Sequence, residues 1–207
     1  MEDLKRRAGE RAAEYVTDGM TVGLGTGSTV HYTLLDLGRR VREEGLDIIG
    51  VPTSVRTRRT SEEVGIPLGD LDELGRLDVT IDGADEVDPH LNLVKGLGGA
   101  LVREKIVAAH SRRLVIVADD SKLVDVLGTR SPLPVEVLVM GHRRLHGALA
   151  DLGCAPALRM GDDDAPYISD NGNHIYDCRF PSITRPHELE MEINNLAGVV
   201  ENGLFLD

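Results

Sequence analysis

The stretch Leu77–Ala109 constrains the fold more than any other part of this sequence. It opens with alternation: Leu77, Val79 and Ile81 are apolar, while Asp78, Thr80 and Asp82 are polar. A period of two predicts a strand with one buried face. The strand is expected to stop at Gly83, where carboxylates crowd in at Asp82, Asp85, Glu86 and Asp88. Lys95 follows, then glycines at positions 96, 98 and 99, then a helical pattern. Val102, Ile106 and Ala109 fall at i, i+4 and i+7, which predicts a shared apolar face with Glu104 off it, early in the helix. In open α/β sheets ligands bind at the carboxyl ends of strands, where this acidic turn would lie.

Strand and helix alternate on both sides of this stretch. Leu4–Tyr15 reads as an opening helix. Thr21–Leu24, Ile48–Val51 and Leu114–Val117 read as strands, with helices from Val30 and over Val55–Val64. This order predicts an α/β fold, a Rossmann-like parallel sheet flanked by helices. Asp119–Lys122 then puts Lys122 at another strand's carboxyl end. The pattern changes at Ser131-Pro132-Leu133-Pro134, since two prolines in three residues cannot continue a helix. Beyond it come an expected strand (Val135–Val139), a helix (His142–Leu152) and a strand near Leu158–Met160. A turn at Asp170–Asn173, a strand to Phe180 and a helix from Pro186 to Leu196 follow. A β-α-β-β-α order fits a small α+β domain of ferredoxin-like type. The expected division is residues 1–130 with 199–207 as a catalytic domain and 131–198 as the small one. The last segment, Val199–Leu206, is expected to run back toward the first domain.

A second motif carries chemistry. Gly25-Thr26-Gly27-Ser28-Thr29 stands between a strand and a helix. Glycines let backbone N–H groups face a ligand, and a helix N-terminus adds partial positive charge, so the turn suits a phosphate. It is not a P-loop, because no Gly-Lys-Ser/Thr follows. It is also a poor dinucleotide fingerprint, because Ser28 stands where the third glycine belongs. A tight turn without ligand stays open on this motif alone.

Composition narrows the partners. The net charge of -12 disfavours nucleic acid and anionic membranes. The lysines are Lys5, Lys95, Lys105 and Lys122, and all other basic residues are arginine. Abundant carboxylates with scarce lysine fit a surface adapted to concentrated salt, or a merely acidic, compositionally biased genome. The stretch MEDLKRRAGE has no apolar core, so no signal peptide is expected, and the expected location is cytoplasmic. Cys154 and Cys178 match no zinc or redox spacing, which leaves two buried free thiols as the expectation. His142 and His146 are four apart, but the HExxH glutamate is missing and arginines fill the middle, so no metal site is expected.

Six segments together closely resemble the type A ribose-5-phosphate isomerase family. They are GLGTGST (Gly23–Thr29), DGADEVDPHLNLVKGLGGALVREKIVAA (Asp82–Ala109), ADDSKLVDVLG (Ala118–Gly128), PLPVEV (Pro132–Val137), DNGNHIYDC (Asp170–Cys178) and GVVENGLF (Gly198–Phe205). The resemblance spans nearly the whole chain in the right order. Two departures stand out. The family pattern KGGGGA reads Lys95-Gly96-Leu97-Gly98-Gly99-Ala100 here, an expected change to the loop that meets the sugar. The family pattern also runs past Phe205 into a further strand, where this sequence stops at Asp207.

The resemblance implies interconversion of ribose 5-phosphate and ribulose 5-phosphate through an enediolate, without metal or organic cofactor. It implies Glu104 as the base at the carbons, with Asp82 and Asp85 opening the ring and handling hydroxyl protons. Clustered carboxylates are expected to raise one another's pKa. Lys95 would stabilise the enediolate beside the N–H groups of Gly96, Leu97 and Gly98. Thr26, Gly27, Ser28 and Thr29 match the phosphate-side loop. Gly83, Ala84 and Lys122 match further binding positions, and Lys5 is a weaker phosphate candidate. A homodimer or homotetramer is implied. Two other classes share related folds: sugar-phosphate sensors, which need a basic DNA-binding segment not visible here, and CoA transferases, whose glutamate is a nucleophile.

Overall fold

The computed structural model describes residues 2–206. In chain order its elements are α1 (Glu2–Ala13), β1 (Met20–Leu24), α2 (Val30–Glu44), β2 (Ile48–Pro52), α3 (Val55–Val64), α4 (Leu71–Leu74), β3 (Val79–Gly83), β4 (Glu86–Val87), β5 (Leu93–Val94), α5 (Leu101–Ala109) and β6 (Leu114–Val117). A 3₁₀ turn at Asp120–Lys122 follows. Then come β7 (Leu133–Val137), α6 (His142–Asp151), β8 (Ala155–Leu158), β9 (His174–Arg179), α7 (Pro186–Asn194), β10 (Val199–Asn202) and β11 (Leu204–Phe205). The chain forms two compact units: one runs to Gly83 and takes in Arg103–Ser121, and the other comprises Ala84–Val102 and continues from Lys122.

The first unit is built on a parallel sheet in the order β2-β1-β3-β6. From β1 the chain steps to β2 on one side, then crosses to β3 on the other. The carboxyl ends of β1 and β3 therefore flank the point where strand order reverses, the place such sheets bind ligands. The core is aliphatic, with Val22, Leu24, Ile48 and Ile81 from strands against Val30, Leu34 and Leu37 of α2. β3 departs from the expected one-sided burial. Thr80 and Asp82 are as buried as Val79 and Ile81, because a central parallel strand is covered on both faces. The polar members are satisfied instead of solvated: the hydroxyls of Thr80 and Ser111 hydrogen-bond at 2.6 Å.

The helix after the glycine loop also turns differently from its pattern. The buried positions of α5 are Leu101, Glu104 and Val107, while Ile106 is 46% exposed. Val107 packs with Val51 and Leu77. Glu104, one turn earlier, shares that face and is only 3% exposed. The stripe of Val102, Ile106 and Ala109 is thus the outer one. Two stripes of α5 carry apolar residues, so periodicity alone could not choose between them.

The second unit carries an antiparallel sheet in the order β10-β7-β9-β8, with α6 and α7. The sequence order β-α-β-β-α-β with this strand order is ferredoxin-like. Val199–Asn202, expected to run back toward the first domain, instead supplies its fourth strand, pairing with β7. Of the two prolines, Pro134 lies inside β7, and its carbonyl accepts the N–H of Gly203 at 2.8 Å. A proline keeps its acceptor and gives up only its donor. The core gathers Leu133, Val135, Leu149, Tyr176, Cys178 and Ile193. Cys178 is buried, but Cys154 is only partly so. A small three-stranded sheet, β11-β5-β4, completes the unit.

Candidate functional site

In the first unit the strand ends meet through a carboxylate. The buried Asp82 Oδ1 accepts the N–H of Thr26 at 3.0 Å and that of Gly83 at 2.8 Å. Gly25 must lack a side chain, because a Cβ there would fall 2.3 Å from Asp82 Oδ1. Thr26 Oγ1 sits in a buried hydroxyl cluster, 2.9 Å from Thr53 Oγ1, 2.8 Å from Ser54 Oγ and 3.1 Å from Thr57 Oγ1. Thr53 and Thr57 in turn donate to the carbonyls of Leu24 and Gly25. Ser54 also caps α3 by accepting the N–H of Thr57 at 3.0 Å. The Thr26 hydroxyl is therefore committed to fixing the turn.

Ser28 and Thr29 differ from Thr26. Ser28 is exposed at the entrance to α2, and Thr29 is its N-cap without using its side chain for capping. Lys5 Nζ lies 2.9 Å from Ser28 Oγ. A helix N-terminus, two hydroxyls and a lysine converge there, a donor set for an anion. Beside the turn lies a cleft of about 380 Å³ lined in part by Gly27, Ser28, His31, Tyr32, Arg56 and Thr60. Nothing in the sequence marks Arg56, because only the fold brings α3 to this turn, and His31, two residues past Thr29 on α2, belongs to no motif there.

Asp82 aside, the carboxylates of the acidic stretch lie in the second unit, and the three divide. Glu86 is fully buried and accepts the N–H groups of Gly128, Arg130 and Ser131 at 2.5, 2.7 and 2.6 Å. Asp88 accepts the N–H groups of His90 and Asn92 at 2.8 and 2.9 Å, which shapes the turn before β5. Neither is a free acid. Asp85 is, like its neighbour Ala84, partly buried, and its Oδ2 accepts the Leu97 N–H at 3.0 Å.

Burial pushes the Asp85 carboxyl up from its ordinary value, opposed by the Leu97 N–H and by Lys95, Lys122 and Arg159. The first cause is desolvation, not the expected crowding of carboxylates, and the charged groups that act on it, Lys95, Lys122 and Arg159, pull the other way. Lys95 is 2% exposed, held at the end of β5 by its N–H to the Gly203 carbonyl, with its ammonium 5.2 Å from the centre of the Phe205 ring. Lys122 ends the 3₁₀ turn, half-buried.

The glycine loop follows Lys95. Gly96 and Gly99 have φ of 103° and 80°, and the N–H of Gly99 donates to the carbonyl of Gly96 at 3.0 Å. Leu97 is not among the described residues with positive φ, so its side chain sits there without backbone strain, partly exposed. Gly98 is exposed beside it.

Other candidates resolve simply. His142 Nδ1 is 3.2 Å from the Tyr176 hydroxyl, and its ring packs edge-on against His174. Among the described residues no group of three or more His, Cys, Asp or Glu is arranged to hold a metal ion. None of the helices described is long and apolar enough to cross a membrane.

Comparison with known proteins agrees with this fold. Residues 49–207 match the family described as Ribose 5-phosphate isomerase A (phosphoriboisomerase A). A ribose-5-phosphate isomerase A of Bacillus mycoides is 51% identical over 208 residues, covering 100% of this chain and 93% of that protein. The solved ribose 5-phosphate isomerase A of Methanocaldococcus jannaschii superposes with a TM-score of 0.96 at 45% identity, covering 100% of this chain and 92% of the other. A D-ribose-5-phosphate isomerase solved in complex with phospho-erythronic acid superposes at 0.97 with 42% identity, covering 100% and 91%. The chain belongs to the ribose 5-phosphate isomerase A family.

Proposed function

We propose that this protein interconverts D-ribose 5-phosphate and D-ribulose 5-phosphate, as an intramolecular oxidoreductase of the non-oxidative pentose phosphate pathway. The observation that carries this reading is the match over the full chain, both units included, to proteins of that name. The complex of one of them with a phosphorylated sugar acid supports a sugar phosphate as substrate.

The chemistry assigns each residue a part. Glu104, buried on the packed face of α5, takes the proton from C2 of the open-chain aldose and returns it to C1. Asp82 and Asp85 open the ring and handle the hydroxyl protons. An Asp85 whose pKa is raised suits proton exchange closer to neutrality. The ammonium of Lys95 and the N–H groups of Gly96 and Gly98 offset charge on the enediolate oxygen, while the Leu97 N–H stays on Asp85. Gly27, Ser28 and Thr29, with Lys5, take the phosphate. Thr26 shapes that turn, Gly83 and Ala84 line the sugar with backbone, and Lys122 adds a cation.

The protein acts in the cytoplasm as a homodimer or homotetramer, with neither nucleic acid nor membrane as partner. Neither a metal nor an organic cofactor takes part. The test is ribose 5-phosphate in deuterated buffer without CoA, followed by proton NMR. Ribulose 5-phosphate carrying solvent deuterium at C1 is expected, because the proton that Glu104 takes from C2 exchanges with solvent before a proton is returned to C1. Binding without turnover would favour a sensor, and turnover only with an acyl-CoA would favour a transferase.

A further inference from the structure

One half-buried arginine has no part in the roles given above. Arg159 follows β8, and its side chain is 12% exposed. One edge of its guanidinium is forked by Asp177, with Nε to Oδ2 at 2.9 Å and Nη2 to Oδ1 at 2.5 Å. The remaining Nη1 donates to the carbonyls of Gly96 at 3.1 Å and Leu97 at 3.2 Å. Every element of this arrangement is in the second unit.

The arginine is fixed from behind as well. Its N–H donates to the Ile175 carbonyl at 2.8 Å, and its own carbonyl accepts the Tyr167 N–H at 2.9 Å. Its guanidinium carbon lies 5.8 Å from the centre of the Tyr167 ring. Tyr167 closes the other end of the loop, since a Cβ on Gly99 would fall 2.3 Å from its hydroxyl. The glycine loop would otherwise be soft, with two positive-φ glycines and one internal hydrogen bond between Gly99 and Gly96. Its carbonyls are pinned by Arg159 on one side and its Leu97 N–H by Asp85 on the other.

We propose that Arg159, oriented by Asp177, is a positioning residue for the isomerisation, holding the Gly96–Leu97 carbonyls so that the Leu97 N–H keeps Asp85 in its working place. This rests on the reading that Asp85 and the glycine loop handle the sugar. Only a planar fork can satisfy a carboxylate on one edge and two carbonyls from the remaining nitrogen, so lysine is no substitute.

The test compares Arg159→Lys, Arg159→Gln and Asp177→Asn with wild type in two arms. Without substrate, hydrogen exchange is measured over residues 95–102 and, as an internal control, over β3. All three variants are expected to quicken loop exchange at least tenfold with β3 unchanged. With substrate, kcat is expected to fall at least tenfold while KM moves less than threefold. Arg159→Gln removes one of the three cations facing Asp85, leaving Lys95 and Lys122, so the acid limb of its pH profile should move upward, and more than that of Arg159→Lys. If Arg159→Gln does not fold, Asp177→Asn decides alone, because it keeps the cation and loses the fork. Unchanged loop exchange in the folded variants, or exchange quickened with kcat intact, overturns the proposal. A wild type that cannot isomerise ribose 5-phosphate refutes the proposed function instead, and the exchange arm still decides whether Arg159 holds the loop.

Discussion

Asp82 Oδ1 accepts the backbone N–H of Thr26 at 3.0 Å, tying the carboxyl end of β3 to the turn after β1 where the strand order reverses. The same oxygen accepts the Gly83 N–H. Asp82→Asn keeps an acceptor of the same shape, so the turn should survive with a loss of about 1 kcal/mol or less. Asp82→Ala removes both bonds and should cost about 3–6 kcal/mol, at 1.5–3 kcal/mol for each hydrogen bond to a charged group. Turnover should fall sharply in both. Urea midpoints paired with kcat check this, and an Asn variant as unstable as the Ala variant would contradict it.

Asp85 gives a pH signature. Burial raises its folded pKa above the unfolded value of 3.8. A carboxyl with a raised folded pKa contributes stability below 3.8 that is lost as pH rises through the folded value. The stability of wild type relative to Asp85→Asn should therefore fall as pH rises above 3.8, while turnover falls in the variant throughout. Denaturant midpoints of the pair across that range decide it. A relative stability that rises with pH would mean that the cations, not burial, dominate.

How much of this was legible before the structure differs residue by residue. The turn Gly25–Thr29, the helix Val55–Val64 and the strand Leu114–Val117 could be read directly, because propensity, caps and glycines agree there. The placing of Glu104 could not. Its helix has two stripes that both carry apolar residues, and the sheet, not the pattern, selects Leu101–Glu104–Val107. The four carboxylates from Asp82 to Asp88 looked alike in sequence. They separate only when the backbone N–H groups that converge on Glu86 from residues 128–131, some forty positions away, are in place. Arg159 was invisible for the same reason, since its partners Gly96 and Asp177 are 63 and 18 residues distant.

The phosphate turn should fail in part. Ser28→Ala with Thr29→Val removes two hydroxyls but leaves the helix end, the backbone N–H groups and Lys5. A loss on the order of 2–4 kcal/mol in kcat/KM is expected, spread over kcat and KM, because a bound phosphate also helps hold the sugar at Glu104. Free ribose, which has no phosphate to lose, should be turned over no worse than by wild type. Equal impairment on ribose would place the phosphate elsewhere.

Activity should persist after exhaustive dialysis against EDTA, because acid–base chemistry at Glu104, Asp82 and Asp85 needs no Lewis acid. Activity lost on chelation and restored by one metal ion would contradict this and direct attention to His142 and His174.

The central claim is that Glu104 moves the proton between carbons. Glutamine matches its shape on the packed face of α5, so Glu104→Gln should fold like wild type. It should bind ribose 5-phosphate within about tenfold of wild type, yet show no measurable turnover and no deuterium incorporation from solvent. A Glu104→Gln variant that isomerises ribose 5-phosphate at a near wild-type rate would contradict the account at its root.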